Sequence, residues 1–294
     1  MAWIPGGTFA MGSTDFYPEE RPVRDVSIDG FWMDVEPVTV SAFRRFVRDT
    51  GYQTVAERAL DPALYPEVAA SALVPGSLVF QGTPGPVDLR DVLAWWSYVP
   101  GARWDRPEGP GSHVYTRGRH PVTHIAYEDA AAYAGWAGKA LPGEAEWERA
   151  ARGGLDGARF AWGDELLPGG RHLANWWQGE FPWQNLELDG WARTSPVGSF
   201  PPNGFGLHDT CGNTWEWTVD AIAEPPPAER PACCGPPAPE RIPRRVIKGG
   251  SHLCAPSYCL RFRPAARQFE AVDTSTSHLG FRCVVRSAPF IRNG

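Results

Sequence analysis

Short runs of β-branched and aromatic residues lie near both ends of the chain and predict strands. Two of them, Val26–Trp32 and Val38–Val40, are separated by residues that interrupt strands. Near the C-terminus, Arg245–Lys248 leads into a pair of glycines, and Gly280–Arg286 is a further short apolar run. The pattern predicts short strands at both ends of the chain, with other structure between them.

Helical patterns mark three stretches between those strands. Ser41–Thr50 carries bulky apolar residues on one face, and Tyr127–Gly138 is rich in alanine. A third helix is expected to begin near Gly143, where glutamates suit the positive end of the helix dipole. It should end at Gly153, because glycine commonly follows the last helical turn.

Two stretches have the composition of surface loops. Asp61–Val87 holds several prolines and glycines between short apolar runs, and residues 224–244 form a proline-rich insertion with little periodicity. We find no internal repeat and no boundary between two cores along residues 1–294. Strands at both ends with helices between them therefore predict a single mixed α+β domain.

Composition indicates a compact fold with much irregular backbone. The 294 residues are 43% hydrophobic, enough for a large core, and include 14 Trp, 32 Gly and 30 Pro. The net charge of −6 argues against non-specific nucleic-acid binding, which depends on lysine and arginine. No apolar run reaches the length of about 18 residues that a membrane span requires. The N-terminal residues lack the pattern of a secretory signal, so we expect a cytoplasmic protein.

The chain has six cysteines, at positions 211, 233, 234, 254, 259 and 283. Cys254 and Cys259 share the string Cys-Ala-Pro-Ser-Tyr-Cys, and two soft thiolates suit Cu(I) better than Mg or Ca. Three arginines downstream, Arg261, Arg263 and Arg267, could supply the positive charge that favours thiolates. The spacing alone also fits a disulfide, half of a zinc site, or two buried thiols.

Sequence blocks along nearly the whole chain carry a family resemblance. In order, they are Pro5–Ser13 (PGGTFAMGS), Gly51–Glu57 (GYQTVAE), Trp104–Ser112 (WDRPEGPGS), His120–Val122 (HPV), Trp136–Arg152 (WAGKALPGEAEWERAAR), Ala174–Pro182 (ANWWQGEFP), Phe200–Leu207 (FPPNGFGL), Gly212–Trp217 (GNTWEW), Lys248–Arg267 (KGGSHLCAPSYCLRFRPAAR) and Asp273–Arg282 (DTSTSHLGFR). Together they resemble the formylglycine-generating enzyme (sulfatase-modifying factor) family. Several blocks also mark a wider superfamily, but the cysteine pair points to the formylglycine-generating branch.

The resemblance implies a compact single domain, related to C-type lectins and low in regular secondary structure. The catalytic residues that it implies are Cys254, Cys259, Ser251, Tyr258, Trp217, Arg267 and His278. His278 departs in residue type, since some relatives have Asn there, but both side chains form hydrogen bonds. Without the resemblance, a tryptophan is usually a core residue and an arginine is often a solvated charge.

Calcium, which prefers hard oxygen donors, is the second implied metal besides Cu(I). One implied site comprises Asn175, Trp176, Asp189 and Trp191, with both tryptophans acting through backbone oxygens. The other comprises Cys211, Gly212, Thr214 and Glu216. Without the resemblance, Asp189 would be assigned to a turn and Glu216 to an ordinary hydrogen-bonded polar residue.

The cysteines also depart from some relatives, which carry disulfides between the helical region and the C-terminal part. The corresponding positions here are Ala134, Ala151 and Pro264, which leaves Cys283 without an evident partner. This fits a reducing cytoplasm.

The resemblance implies a copper-dependent oxidase that converts the cysteine of a Cys-X-Pro-X-Arg segment in an unfolded sulfatase polypeptide to Cα-formylglycine. O2 and a thiol reductant would be consumed. Two alternatives stay open. A non-catalytic binding module of the same fold would bind no copper, and an iron-dependent sulfoxide synthase would need a histidine-rich iron site. His120 and His124 have a His-X3-His spacing but lack the helical context of such a site.

Overall fold

The computed structural model describes residues 1–222 and 242–286, so nearly all of the predicted insertion at 224–244 lies outside the described residues. The helices are α1 (Val40–Thr50), α2 (Tyr127–Trp136) and α3 (Glu144–Arg152). The strands are β1 (Ala2–Ile4), β2 (Gly7–Met11), β3 (Arg24–Ile28), β4 (Phe31–Met33), β5 (Gly76–Phe80), β6 (Trp96–Pro100), β7 (Trp215–Ala221), β8 (Arg244–Lys248), β9 (Arg267–Ala271), β10 (Leu279–Gly280) and β11 (Val284–Arg286). Within these two ranges, no helix is long and apolar enough to cross a membrane.

All three predicted helices are confirmed, and local chemistry sets their ends. Helix α1 begins where the Thr39 hydroxyl accepts a hydrogen bond from the Ala42 N–H (3.2 Å), and it ends at Gly51, where φ is 69°. Helix α3 begins after Gly143, whose N–H donates to the Glu146 carboxylate (2.6 Å). The signals in the sequence are therefore the contacts that end the helices in the structure.

The central sheet has the strand order β10-β7-β8-β9, with β10 parallel to β7 and the other neighbours antiparallel. A second sheet, β1-β4-β11, joins the two ends of the chain, and β2-β3 and β5-β6 form separate antiparallel pairs. Because β8 and β9 are neighbours, the segment between them, residues 249–266, starts and ends on the central sheet. This segment carries both predicted catalytic cysteines.

Several strand predictions need correction. Val38–Val40 is not a strand, because Thr39 caps helix α1 and the helix already begins at Val40. The run Gly280–Arg286 does not form one strand, since β10 and β11 belong to different sheets. The region Asp61–Val87 is only partly loop: it contains β5, which is mostly buried and pairs with β6.

Two apolar clusters position the cysteine segment. The larger one contains Phe43, Trp217 and both cysteines of the pair. A second, aromatic cluster contains Phe80, Trp95, Trp96, Trp177 and Phe181. Tyr258, which lies between the cysteines in the sequence, packs against both clusters. The pair therefore lies where the main core meets an aromatic wall.

Candidate active site

The two predicted catalytic cysteines lie side by side. Their sulfur atoms are 3.5 Å apart, and Cys254 and Cys259 are 1% and 3% exposed. A disulfide has an S–S distance of about 2.0 Å, so no disulfide joins them. Among the described residues, no group of three or more His, Cys, Asp or Glu side chains could hold a metal ion. Within residues 1–222 and 242–286 the pair is therefore neither a disulfide nor part of a larger His/Cys cluster, and two adjacent thiols fit a soft ion such as Cu(I).

Ser251 and His278 adjoin this pair, as predicted. The Ser251 N–H donates to the Cys254 sulfur (3.4 Å), and its hydroxyl shares a hydrogen bond of 2.9 Å with His278 Nδ1. The same hydroxyl accepts from the Leu253 N–H (3.2 Å). The turn depends on Gly250, where φ is 68° and an added Cβ would lie 2.7 Å from Phe262 backbone atoms. Ser251 therefore links the cysteine sulfur to the imidazole.

Aromatic rings pack around Tyr258, which precedes Cys259, and against His278. Tyr258 stacks on Phe181, with centroids 4.9 Å apart and planes at 1°, and meets the edge of Trp95 at 5.7 Å. Trp96 packs edge-on against His278 at 4.9 Å. Tyr258 thus packs between this aromatic cluster and the core cluster that contains both cysteines, and its implied catalytic role stays a prediction.

The three arginines that follow the cysteine pair in the sequence form ion pairs, and their effect on the charge of the thiols stays a prediction. The carboxylates of Glu19, Glu20 and Glu144 pair with Arg261, Arg263 and Arg267 respectively. Arg267 in particular binds Glu144 at 2.8 Å, beside a cavity of about 160 Å³ that neither cysteine lines. The ion pair places this guanidinium beside the cavity, and the role that the resemblance implies for Arg267 stays a prediction.

Trp217 shares the core cluster with the cysteines but is fully buried. Its indole N–H donates to the Ile125 carbonyl (2.9 Å), and its ring meets Tyr127 edge to face at 5.9 Å. These contacts are those of a core residue beneath the site.

Residues of the first implied calcium site are joined by hydrogen bonds in the structure. Asp189 accepts hydrogen bonds from the N–H groups of Trp176 (3.2 Å) and Trp191 (2.9 Å). Burial raises the pKa of the Asp189 carboxyl. The Asn175 side-chain oxygen is buried, with no hydrogen-bond partner among the described residues. The Asp189 carboxyl is half-buried and also accepts from the Gln178 amide (2.8 Å), so the unpaired Asn175 oxygen is the feature here that suits a hard cation such as calcium.

The second implied calcium site fits less well. The Glu216 carboxylate already accepts two hydrogen bonds from Arg282 (2.7 and 2.8 Å) and one from the Trp147 indole (2.7 Å). Its side chain therefore does not fit a calcium ligand. The Thr214 hydroxyl is buried without a partner in the described part of the chain.

The remaining implied members of that second site adjoin the first one. The N–H of Gly212 donates to Gly249, and the next N–H, of Asn213, donates to the Asn175 carbonyl (2.9 Å). Cys211 is buried, and burial raises the pKa of its thiol to about 12, which keeps it protonated at neutral pH. The segment that contains Cys211 and Gly212 therefore adjoins the first site through the hydrogen bond from Asn213 to Asn175.

Two buried histidines were not predicted as site residues. His124 has a positive φ of 60°, and its Nδ1 lies 2.7 Å from the Ser77 hydroxyl. His252 Nδ1 donates to the Asn213 carbonyl oxygen at 2.8 Å, because a carbonyl oxygen can only accept. Burial lowers the pKa of each imidazole to about 3. His120 binds Thr194 instead, so the His-X3-His pair does not share a polar partner.

Known proteins and a family model match nearly the whole chain. The family model described as "Sulfatase-modifying factor enzyme 1-like domain" matches residues 1–287. A formylglycine-generating enzyme of Mycobacterium tuberculosis is 54% identical over 290 residues, covering 96% of each chain. A mouse protein named "Inactive C-alpha-formylglycine-generating enzyme 2" is 37% identical, covering 96% of this chain and 84% of that protein.

Among solved structures, PvdO from Pseudomonas aeruginosa has a similar fold. Its TM-score is 0.63 at 24% identity, and the match covers 96% of this chain and 92% of that one. At this identity the likeness supports the fold alone, and it confirms the predicted fold class.

Proposed function

The chain belongs to the sulfatase-modifying factor family, and from this membership we propose that it converts a cysteine of a sulfatase polypeptide to Cα-formylglycine. The observation that carries the proposal is the buried pair Cys254 and Cys259, with sulfur atoms 3.5 Å apart beside Ser251 and Tyr258. The substrate segment would have the form Cys-X-Pro-X-Arg.

Copper is the cofactor that this donor set suits, because soft thiolates select Cu(I) over hard cations. When bound by Cys254 and Cys259, it would supply the redox chemistry that couples reduction of O2 to oxidation of the substrate. The Ser251 N–H donates to the Cys254 sulfur (3.4 Å) and so helps to hold this sulfur in place beside Cys259. The Ser251–His278 hydrogen bond holds a proton between these two side chains, next to the reacting thiols.

The overall reaction balances with a reductant. The substrate CH2–SH becomes an aldehyde, its carbon–sulfur bond breaks, and the sulfur leaves as hydrogen sulfide. One oxygen atom of O2 enters the aldehyde and the other leaves as water. Two electrons and two protons must be added, and we propose that a thiol reductant supplies them. The aromatic wall around Tyr258 would limit access of water to this step.

We further propose that calcium binds at Asn175, Trp176, Asp189 and Trp191. The unpaired Asn175 oxygen and the half-buried Asp189 carboxyl support this site. A reducing compartment such as the cytoplasm is proposed because Cys283 is a buried thiol without a disulfide.

The second candidate function is a non-catalytic module of the same fold, and the inactive mouse relative is the reason to test it. The greater identity to the mycobacterial enzyme and the presence of both cysteines favour the enzyme. The test is incubation with a Cys-X-Pro-X-Arg peptide, O2, Cu(I) and a thiol reductant, followed by mass spectrometry. Loss of mass from thiol to aldehyde supports the enzyme; binding of the peptide without conversion supports the module.

A further inference from the structure

The loop between β2 and β3 lies against the segment that carries Cys259. We call residues 13–22 the strap. It is closed on itself by a hydrogen bond from the Ser13 N–H to the Glu20 carbonyl (3.2 Å). Its side chains reach residues more than two hundred positions away in the sequence, which indicates a specific tertiary role.

The first contact of the strap is to the peptide group that follows Cys259. The Leu260 N–H donates to the Tyr17 hydroxyl at 3.1 Å. The carbonyl of the same peptide group, on Cys259, accepts from the Arg261 N–H at 3.0 Å. Arg261 in turn lies over the Tyr17 ring at 3.8 Å and pairs with Glu19. Tyr17 thus contacts the N–H side of this peptide group directly. Glu19 pairs with Arg261, the residue whose N–H binds the carbonyl side.

The second contact fixes the next peptide group. The Leu260 carbonyl accepts from Arg263 Nε at 2.7 Å, and the same guanidinium binds both carboxylate oxygens of Glu20. Arg263 and Glu20 are 1% and 3% exposed, and Arg263 also lies over the Phe16 ring at 3.6 Å. A buried charge pair with two parallel hydrogen bonds has little freedom to shift. The strap thereby holds both polar groups of Leu260.

Building on the proposed function, we propose that Tyr17 and Glu20 are positioning residues that hold Cys259 at the spacing from Cys254 needed for joint binding of one thiophilic ion. They act through Leu260 and Arg263, in the way that residues behind a metal ligand orient it. Inside its own segment, the Cys259 N–H also donates to the Ala255 carbonyl (2.6 Å).

The experiment compares Tyr17→Phe and Glu20→Gln with the wild type and with Tyr98→Phe. Tyr98 is a matched control, because its hydroxyl donates to the Val74 carbonyl (2.7 Å) on the β5-β6 pair. Affinity for phenylarsine oxide, which binds two adjacent thiols together, is measured on the copper-free protein. Cu(I) affinity by competition and the melting temperature are measured alongside.

Both strap variants should weaken binding of phenylarsine oxide and of Cu(I) by roughly 10- to 100-fold. Tyr98→Phe should lower the melting temperature without changing either affinity. Wild-type affinities in a folded Tyr17→Phe protein, or an equal loss in Tyr98→Phe, would overturn the proposal. If Glu20→Gln does not fold, Tyr17→Phe decides alone. Failure of the wild type to convert peptide would refute the proposed enzyme activity, but the arsenical measurement would still test the spacing.

Discussion

Lowering the pH should destabilise the protein through two buried neutral histidines. His124 and His252 are 0% and 4% exposed, and burial lowers the pKa of each from 6.5 to about 3. Between these two values the unfolded chain binds more protons than the folded one. Stability should therefore be constant above the unfolded value and fall as the pH drops below it.

The magnitude follows from linkage. At about pH 5 the unfolded imidazole is almost fully protonated, whereas the folded one is still neutral. This pH lies about 1.5 units below the unfolded pKa. Protonation of the unfolded state therefore lowers the free energy of unfolding by about 2 kcal/mol for each histidine. The two together remove about 4 kcal/mol, a large part of the 5–15 kcal/mol that stabilises a typical domain.

The assay is urea unfolding at about pH 7.5 and about pH 5 for the wild type, His124→Asn and His113→Asn. Asparagine tolerates the φ of 60° at position 124, and it does not titrate. His124→Asn should therefore lose about 2 kcal/mol less than the wild type between the two pH values. His113 lies on the surface against Tyr115, and its substitution should leave the loss unchanged. An unaltered loss in His124→Asn would refute the reasoning.

Three further predictions concern the calcium site, the backbone at Gly212 and the thiol of Cys283. A chelator should lower the melting temperature of the wild type, and Asp189→Ala should make that temperature insensitive to Ca²⁺; an unchanged wild type contradicts the calcium site. Gly212→Ala should lower the free energy of chemical unfolding by roughly 3 kcal/mol or more, because the added Cβ would lie 2.1 Å from the backbone carbonyl oxygen of Asn175. Gly157→Ala, with the same φ of 77° and open space, should cost only about 1–2 kcal/mol. Cys283, whose thiol pKa is raised by burial, should react with an alkylating agent only after unfolding.

The helices could be predicted because their signals are local. Thr39 and Gly51 bound α1 by contacts within a few residues, and the apolar face of that helix repeats at helical spacing. The strands β10 and β5 could not, because two residues give no alternating pattern and β5 lies in a stretch that is rich in glycine and proline. Their pairing depends on partners far away in the sequence.

The candidate site also combines residues that are close in the sequence, which could be predicted together, with partners that are distant in the sequence, which could not. Cys254, Cys259 and Ser251 come from one contiguous block, so the sequence could place them together. The partners of the nearby arginines could not be foreseen: Glu20 lies 243 residues from Arg263, and no local pattern links them. The expected role of these arginines in supplying charge to the thiols stays a prediction.

The cysteine pair is the centre of the account, and one measurement tests it most directly. Conversion of a Cys-X-Pro-X-Arg peptide is followed in copper-loaded and copper-free preparations of the wild type, Cys254→Ser, Cys259→Ser and the control Cys283→Ala. Since a hydroxyl cannot replace a thiolate on Cu(I), both serine variants should lose turnover and bind Cu(I) more weakly by orders of magnitude. The control should remain active when loaded with copper. Full activity in copper-free wild type or in either serine variant would contradict the proposed chemistry.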